Sequence, residues 1–490
     1  MQGGYCRGEI FVSDSTDQAF LNEVSNWKLE AKLEDVGRYF FDTNEFQQVK
    51  SGNKSFLIGR KGTGKTAIAQ SIVRLHEHNV FTEELSFKNF PFDELYKLGD
   101  DRFSRPNQYI TLWKFVIFNY IVKMLARNAA IAPEGQRIAR AFHPPSLDAR
   151  LERALPRWVI SEVDLKVLGT GGAGKRTYLQ PQATLHERVE LLEDIIKEFL
   201  DQSIYYIVFD ELDEDYRDIL QKYNNNEYLD LMTGLFKAVQ HTKQLFAGSN
   251  IRPIVVLRDD IYGILKDNDK NKWTDSKLDI EWKSDKIKRM LAHRISRLAD
   301  SESAALPFDE AWKLIIQPRP VPYGFRQKRR MHAFDYMARS SHMRPRDFIF
   351  YIKVCAEKEL SEYSEKIRPD TIRAQDKPFS NYLRDELRDE IGAVIPYIDS
   401  VFSTLSQIRK QTFLISDFID VYDRKIPADQ ENRLDATDVL RILFHFSVIG
   451  NKGNGRSPLQ FFRYENKDAE LNFDEVVCVH RGLYKALQIL

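Results

Sequence analysis

The sequence predicts an α/β fold: a parallel sheet carrying a large helical insertion, followed by a helical lid and a C-terminal winged-helix-like domain. Three observations predict it. Short apolar runs at 55–58, 204–209 (IYYIVF) and 254–257 alternate with helix-forming segments and end in glycine-rich or charged turns, as do parallel strands covered by helices on both faces. The first run breaks into a glycine turn and then the helix-forming run TAIAQSIVRL. Past residue 275 the pattern is wholly helical to about 365, and the last stretch carries helices, a turn (GNKGNG), an aromatic strand (LQFFRY) and the segment VVCVHRGLYKAL, which reads as helices closed by a small hairpin.

A chain of 490 residues exceeds what one core usually serves, so two or three domains are expected: 1–275 as the core with an insertion at about 100–200, 276–377 as the lid, and 378–490 as the terminal module. Lys plus Arg and Asp plus Glu both total 72, so no global field draws the chain to nucleic acid or an anionic membrane. Any basic site must be local. Cys6, Cys355 and Cys478 lie far apart with no C-x-x-C spacing, which argues against a zinc site or a disulfide framework and fits a reducing, cytoplasmic setting. The greasiest stretch, 109–125, is interrupted by Thr111, Lys114, Asn119 and Lys123. Their spacing is that of the exposed stripe on a buried helix, so a core helix rather than a membrane span is expected.

The glycine turn reads Gly59-Arg60-Lys61-Gly62-Thr63-Gly64-Lys65-Thr66, which satisfies G-x-x-x-x-G-K-[ST] between a strand and a helix, the context this motif requires. Glycines let the backbone curl so that successive N–H groups point at phosphate oxygens, helped by the positive end of the next helix. Lys65 would reach the β- and γ-phosphates and the Thr66 hydroxyl would hold Mg²⁺. The predicted fold is thus a P-loop NTPase sheet. A second near match, Gly169 to Arg176, has Arg176 where the Mg²⁺-binding hydroxyl belongs and Pro181 in the would-be helix; it reads as a hairpin tip.

Asp210 and Glu211 close the second strand, where one acid holds the metal and the second can polarise a water. Asp213, Glu214 and Asp215 read as a solvated helix start. The string Asn271 to Asp275 has the wrong spacing for a guanine-reading N-K-x-D element and follows no strand, so ATP is favoured over GTP. Four further arginines are candidates for the γ-phosphate: Arg294 and Arg297 on the basic helix 283–298, acting on a neighbouring subunit, and Arg344 and Arg346 in the segment SHMRPRD. Arg258 ends the third strand and either faces the nucleotide or pairs with Asp259 or Asp260. Arg326-Gln327-Lys328-Arg329-Arg330, and Lys452 and Arg456 around the expected wing, could touch nucleic-acid phosphates or be solvated surface.

LIGRKGTGKTAI, IVFDELDED, VVLRDDIY, IKRMLAHRI and MRPRDFI follow one another in an order that resembles AAA+ and neighbouring STAND-type ATPases. With a helical lid and a terminal winged helix, the chain is most similar to the replication-initiator and origin-recognition branch, and to stand-alone bacterial P-loop ATPases suspected of antiviral roles. The resemblance implies Lys65 and Thr66 as the Walker A pair and Asp210 and Glu211 as the Walker B pair. It makes Arg258 the first sensor and Arg344 or Arg346 the second. It further implies a homo-oligomer acting on DNA or an effector protein. Arg258 departs from the neutral residue usual at the first sensor, which implies slow switching.

Overall fold

The computed structural model describes residues 14–88, 92–96, 103–104, 107–142, 184–213, 226–298, 300–453 and 459–489. The near match at Gly169 to Arg176, read as a hairpin tip, and Glu214, Asp215 and Arg456 lie outside them. Two compact units result. One is Asp42–Glu281; the other combines the chain up to Phe41 with Trp282–Leu490.

The first unit is built on five parallel strands: β1 (Phe56–Gly59), β2 (Val80–Ser86), β3 (Ile204–Asp210), β4 (Ile251–Arg258) and β5 (Lys277–Asp279), in the order β2-β3-β4-β1-β5. Register aligns their carboxyl ends. Gly59 of β1 pairs with Arg258 of β4, and Ser86 of β2 with Asp210 of β3. Because β4 lies between β1 and β3, Arg258 stands between the glycine loop and the acids.

β1, β3 and β4 match the three apolar runs. β2 and β5 were not expected. β2 reads VFTEELS, and its two central glutamates look like a solvated segment; in the structure Glu83 pairs with Lys123 at 3.0 Å and Glu84 accepts from Gln70 at 2.9 Å. β5 spans three residues, too short to show a period.

The helix Ile110–Arg127 is long and apolar enough to cross a membrane, but most of it is buried inside this unit. Thr111 and Asn119, expected on an exposed stripe, are buried as well. Asn119 turns its amide inward and donates to the Phe115 carbonyl at 2.8 Å, so a polar side chain sits in the core without an orphaned donor. Trp113 donates from Nε1 to the Leu231 carbonyl at 2.8 Å, tying this helix to Asn226–Leu245.

The second unit is mainly helical. Its N-terminal helix Asp14–Ser25 packs on Pro345–Ser361 and Phe308–Ile315, burying Phe20, Leu21 and Val24. The chain runs on through Ser284–Ser296, a hairpin of β6 (Val321–Tyr323) and β7 (Arg329–Met331), Pro345–Ser361 and Asp376–Ile391. It ends in three helices, Ile398–Ile408, Ile415–Lys425 and Ala436–His445, with an antiparallel sheet of β8 (Thr412–Phe413), β9 (Ile449–Lys452), β10 (Gln460–Phe461) and β11 (Val476–Val479) in the order β10-β9-β11-β8. One core runs unbroken from Phe20 to Ile489. The packing therefore divides the chain differently from the sequence reading. The 377/378 boundary falls inside the helix Asp376–Ile391, β5 carries the first unit past 275, and residues before 42 belong to the helical unit.

Candidate nucleotide site

At the end of β1 the chain turns through Gly62 (φ 80°) and Gly64 (φ 90°) before the helix Lys65–Val73 begins. Both glycines hold left-handed backbone that a side chain would strain. A Cβ on Gly64 would meet nothing within 4 Å, so space is open in front of the helix start; one on Gly59 would come within 2.9 Å of Thr63 Oγ1. Thr63, buried, donates from that hydroxyl to the Arg60 carbonyl at 2.8 Å and closes the loop. Lys65 Nζ donates to the carbonyls of Gly59 at 2.7 Å and Arg60 at 2.9 Å, folding back over the loop. Thr66, half-buried, sits one residue into the helix, and Arg60 and Lys61 flank the loop, also half-buried.

Burial pushes the Lys65 ammonium below the usual lysine value. Asp213, Asp259 and Asp210 oppose that shift and Arg258 adds to it. The lysine thus shares one electrostatic neighbourhood with the acids at the ends of β3 and β4.

Asp210 is 2% exposed, and one of its oxygens, Oδ1, accepts from the backbone N–H of Glu211 at 2.9 Å. Glu211 leaves the strand with φ 61°, an uncommon conformation for a non-glycine residue and one that re-aims its side chain. Its carboxylate accepts a short hydrogen bond from the Ser86 hydroxyl at the end of β2. Ser86 was not singled out in the sequence; its signal is the pairing of β2 with β3, hidden because β2 does not read as a strand.

Arg258 is buried. It donates to Asp260 Oδ1 at 3.0 Å and Oδ2 at 2.5 Å, and reaches Asp213 at 3.8 Å. Of the two expectations for Arg258, the pairing with Asp260 is the one seen, at a register position beside Gly59. Asp213, read as a solvated helix start, belongs to this charge cluster.

The other four arginines are in the helical unit. Arg294 is 5% exposed, ion-paired with Glu34 and stacked on the rings of Trp27 and Tyr39 at 4.5 and 4.4 Å. This corrects its assignment as a residue reaching into a neighbouring subunit, since its guanidinium is enclosed by the N-terminal segment. Arg297, half-buried, contacts His293 Nδ1 at 2.9 Å, while its carbonyl accepts from Arg38. Arg289, on the same helix, is exposed.

Arg344, 1% exposed, pairs with Asp347 and Glu390, each at 2.9 Å. Burial alone would lower its pKa, but the two carboxylates outweigh it and raise the value. Arg346 pairs with Glu386 at 3.2 Å. Both form structural ion pairs at the start of the helix Pro345–Ser361.

The donors at the loop, a threonine hydroxyl and a strand-end carboxylate, are hard oxygen ligands that suit Mg²⁺. Among the described residues no group of three or more His, Cys, Asp or Glu side chains forms a metal cage. Mg²⁺ needs none, because it usually binds through one or two protein oxygens with phosphates and water.

A five-stranded parallel sheet with a glycine loop between β1 and a helix, and an Asp-Glu pair ending β3, is a P-loop nucleoside-triphosphatase architecture with a helical C-terminal unit. Residues 285–388 match the family model described as the FunZ-associated C-terminal helical domain. No curated protein matches. Similar solved structures include the Aeropyrum pernix ORC2 protein in its ADPNP-ADP complexes, at 11% identity and TM-score 0.38, covering 100% of this chain and 94% of that one. Cdc6p from Pyrobaculum aerophilum is similar at 12% identity and TM-score 0.29, covering 97% of each chain. Drosophila ORC bound to DNA is similar at 10% identity and TM-score 0.28, covering 100% of this chain and 96% of that one. These are origin-recognition and Cdc6 proteins, the branch that the motif order resembles; at such scores they carry no functional argument.

Proposed function

We propose that the chain binds ATP with Mg²⁺ on the loop Gly59 to Thr66 and hydrolyses it. The observation that carries this reading is the convergence of Lys65, Asp210, Glu211 and Arg258 at one sheet edge. Lys65 would hold the β- and γ-phosphates, and Thr66 and Asp210 would hold Mg²⁺, which neutralises phosphate charge when bound. Glu211 would polarise the attacking water, and Arg258 would meet charge developing on the γ-phosphate.

A slow nucleotide-gated switch is favoured by a specific observation: each reactive head is already engaged. Lys65 is held by two carbonyls, Glu211 by Ser86 and Arg258 by Asp260. Nucleotide must displace these contacts, which links binding to rearrangement.

The assembly we infer is a cytoplasmic homo-oligomer acting on a nucleic acid or an effector protein, and the resemblance extends this to antiviral defence. On the basic helix, Arg289 offers an exposed guanidinium to a neighbouring subunit. For nucleic acid, the β6–β7 hairpin is the best-supported contact. Phe325 at its tip is 81% exposed, and Arg326, Lys328, Arg329 and Arg330 are exposed around it. Among the described residues none of these four has a carboxylate at ion-pair distance.

The test is ATP turnover by the purified protein with and without duplex and single-stranded DNA, with Glu211→Gln as the blank. Turnover that the mutant lacks supports the hydrolase. Equal inertness of both proteins with ATP still bound supports the switch, and no ATP binding by either overturns both. Duplex binding whose salt dependence weakens when the four hairpin cations are neutralised would support the DNA reading.

A further inference from the structure

Between the β6–β7 hairpin, the start of the helix Asp376–Ile391 and the C-terminal turn Arg481–Leu483 lies a cavity of about 620 Å³. Its walls are aromatic: Tyr336 and Phe379 are buried, and Tyr323 and Tyr484 half-buried. Its charges are unbalanced. Arg373, Arg481 and Lys485 line it against one acid, Asp376.

That acid accepts from the hydroxyls of Tyr336 at 2.6 Å and Tyr351 at 2.5 Å. Arg373 has its own carboxylate, Asp370, at 3.3 Å. Among the described residues, Arg481 and Lys485 have no carboxylate at ion-pair distance. Arg481 Nε is buried with no acceptor.

A second guanidinium lies just behind the wall. Arg339 sits between the rings of Tyr323 and Tyr336, at 4.4 and 4.2 Å, with its Nε and Nη2 buried and without an acceptor. Arg481 lies 5.8 Å from the same Tyr336 ring. Burial first, and then the Arg481 charge, hold the Arg339 pKa below the usual arginine value.

The turn is built for this approach. A Cβ at Gly482 would lie 2.1 Å from the Ser340 carbonyl, so only glycine lets Arg481 come this close to the segment that carries Tyr336 and Arg339. Folding has thus brought two guanidiniums to one tyrosine, with the single carboxylate of Asp376 on that tyrosine's hydroxyl to answer them. Like charges gathered in a partly dry place cost stability unless an anion answers them. The tyrosine faces offset part of that cost and offer a stacking surface beside the cations. The volume suits a ligand of mononucleotide size.

We propose that this cavity binds a small phosphorylated molecule carrying a flat ring, its phosphoryl group on Arg481 and Lys485 and its ring against the half-buried Tyr484. The site stands on the helical unit's own residues and does not rest on the nucleotide reading of the glycine loop.

The experiment is calorimetric titration of the full-length Lys65→Ala protein, in which the loop lysine is gone, with AMP, inorganic pyrophosphate and adenosine at matched ionic strength. AMP and pyrophosphate are expected to bind, AMP about tenfold more tightly because of its ring, and adenosine not at all. Arg481→Gln and Lys485→Gln should each weaken AMP binding roughly tenfold. Lys485 is exposed, so its variant folds even if the other does not. Without anion, Arg481→Gln should melt no lower than its parent, because it removes a repulsion; a purely structural arginine would lower the melting temperature. Absence of binding by both AMP and pyrophosphate, or binding unchanged in both variants, overturns the proposal.

Discussion

At the carboxyl edge of the parallel sheet, charged groups are held by partners that can be exchanged: carbonyls for Lys65 and a hydroxyl for Glu211. In the core of the helical unit, Arg344 is clasped by Asp347 and Glu390, and Arg294 by Glu34 and two aromatic rings. All are cations or acids in motifs that point to phosphate chemistry. The difference lies in what each would leave behind on moving. A lysine leaving two carbonyls strands little, because they can be rewetted. An arginine leaving two buried carboxylates strands two charges. Burial with a carboxylate partner marks structure here, and burial with exchangeable partners marks a site.

The sharpest way to break this contrast is Lys65→Ala, expected to lower ATP turnover by about 10²-fold or more with little change in urea unfolding. If stability fell and turnover held, the loop lysine would be structural. Next in size, Arg344→Ala should cost about 3–5 kcal/mol of unfolding free energy, because Asp347 and Glu390 stay buried and unanswered. Arg294→Ala should do the same through Glu34. A fold that melts as wild type while turnover collapses would return these arginines to the nucleotide. A smaller effect is expected of Ser86→Ala, which releases Glu211 and should change kcat about two- to tenfold while leaving ATP affinity nearly unchanged.

The smallest effect concerns pH. The folded protein depresses the Lys65 pKa below 10.5, so the unfolded chain holds that proton more tightly. Between the depressed value and 10.5 the unfolded state binds more protons, and stability contributed by this group rises with pH. Lys65→Met should flatten that rise in unfolding curves recorded across the alkaline range.

The sequence exposed what is local. The glycine loop, the strands β1, β3 and β4, and the acid pair each announce themselves within a dozen residues, because loop curvature and strand burial are dictated by nearby residue types. What it hid depends on distance along the chain. Ser86 matters through its register with Asp210, and Glu34 through a partner in the helix Ser284–Ser296. No local pattern distinguishes an arginine that will meet a phosphate from one that will meet a glutamate hundreds of residues away. β2 was missed because its half-buried glutamates serve as partners to Lys123 and Gln70 rather than as a solvated face.

The packing of Asp14–Ser25 on Pro345–Ser361 also sets an order of events during synthesis. At about 5–20 residues per second, the N-terminal helix waits roughly 15–60 s for its partner to be made. Through that interval Phe20, Leu21 and Val24 lack the helix that covers most of their face, whereas Asp42–Glu281 is contiguous and complete early. The nascent chain therefore carries the apolar face of this helix ahead of a sheet unit whose residues are all made first, so the helical unit closes only after the sheet unit is complete.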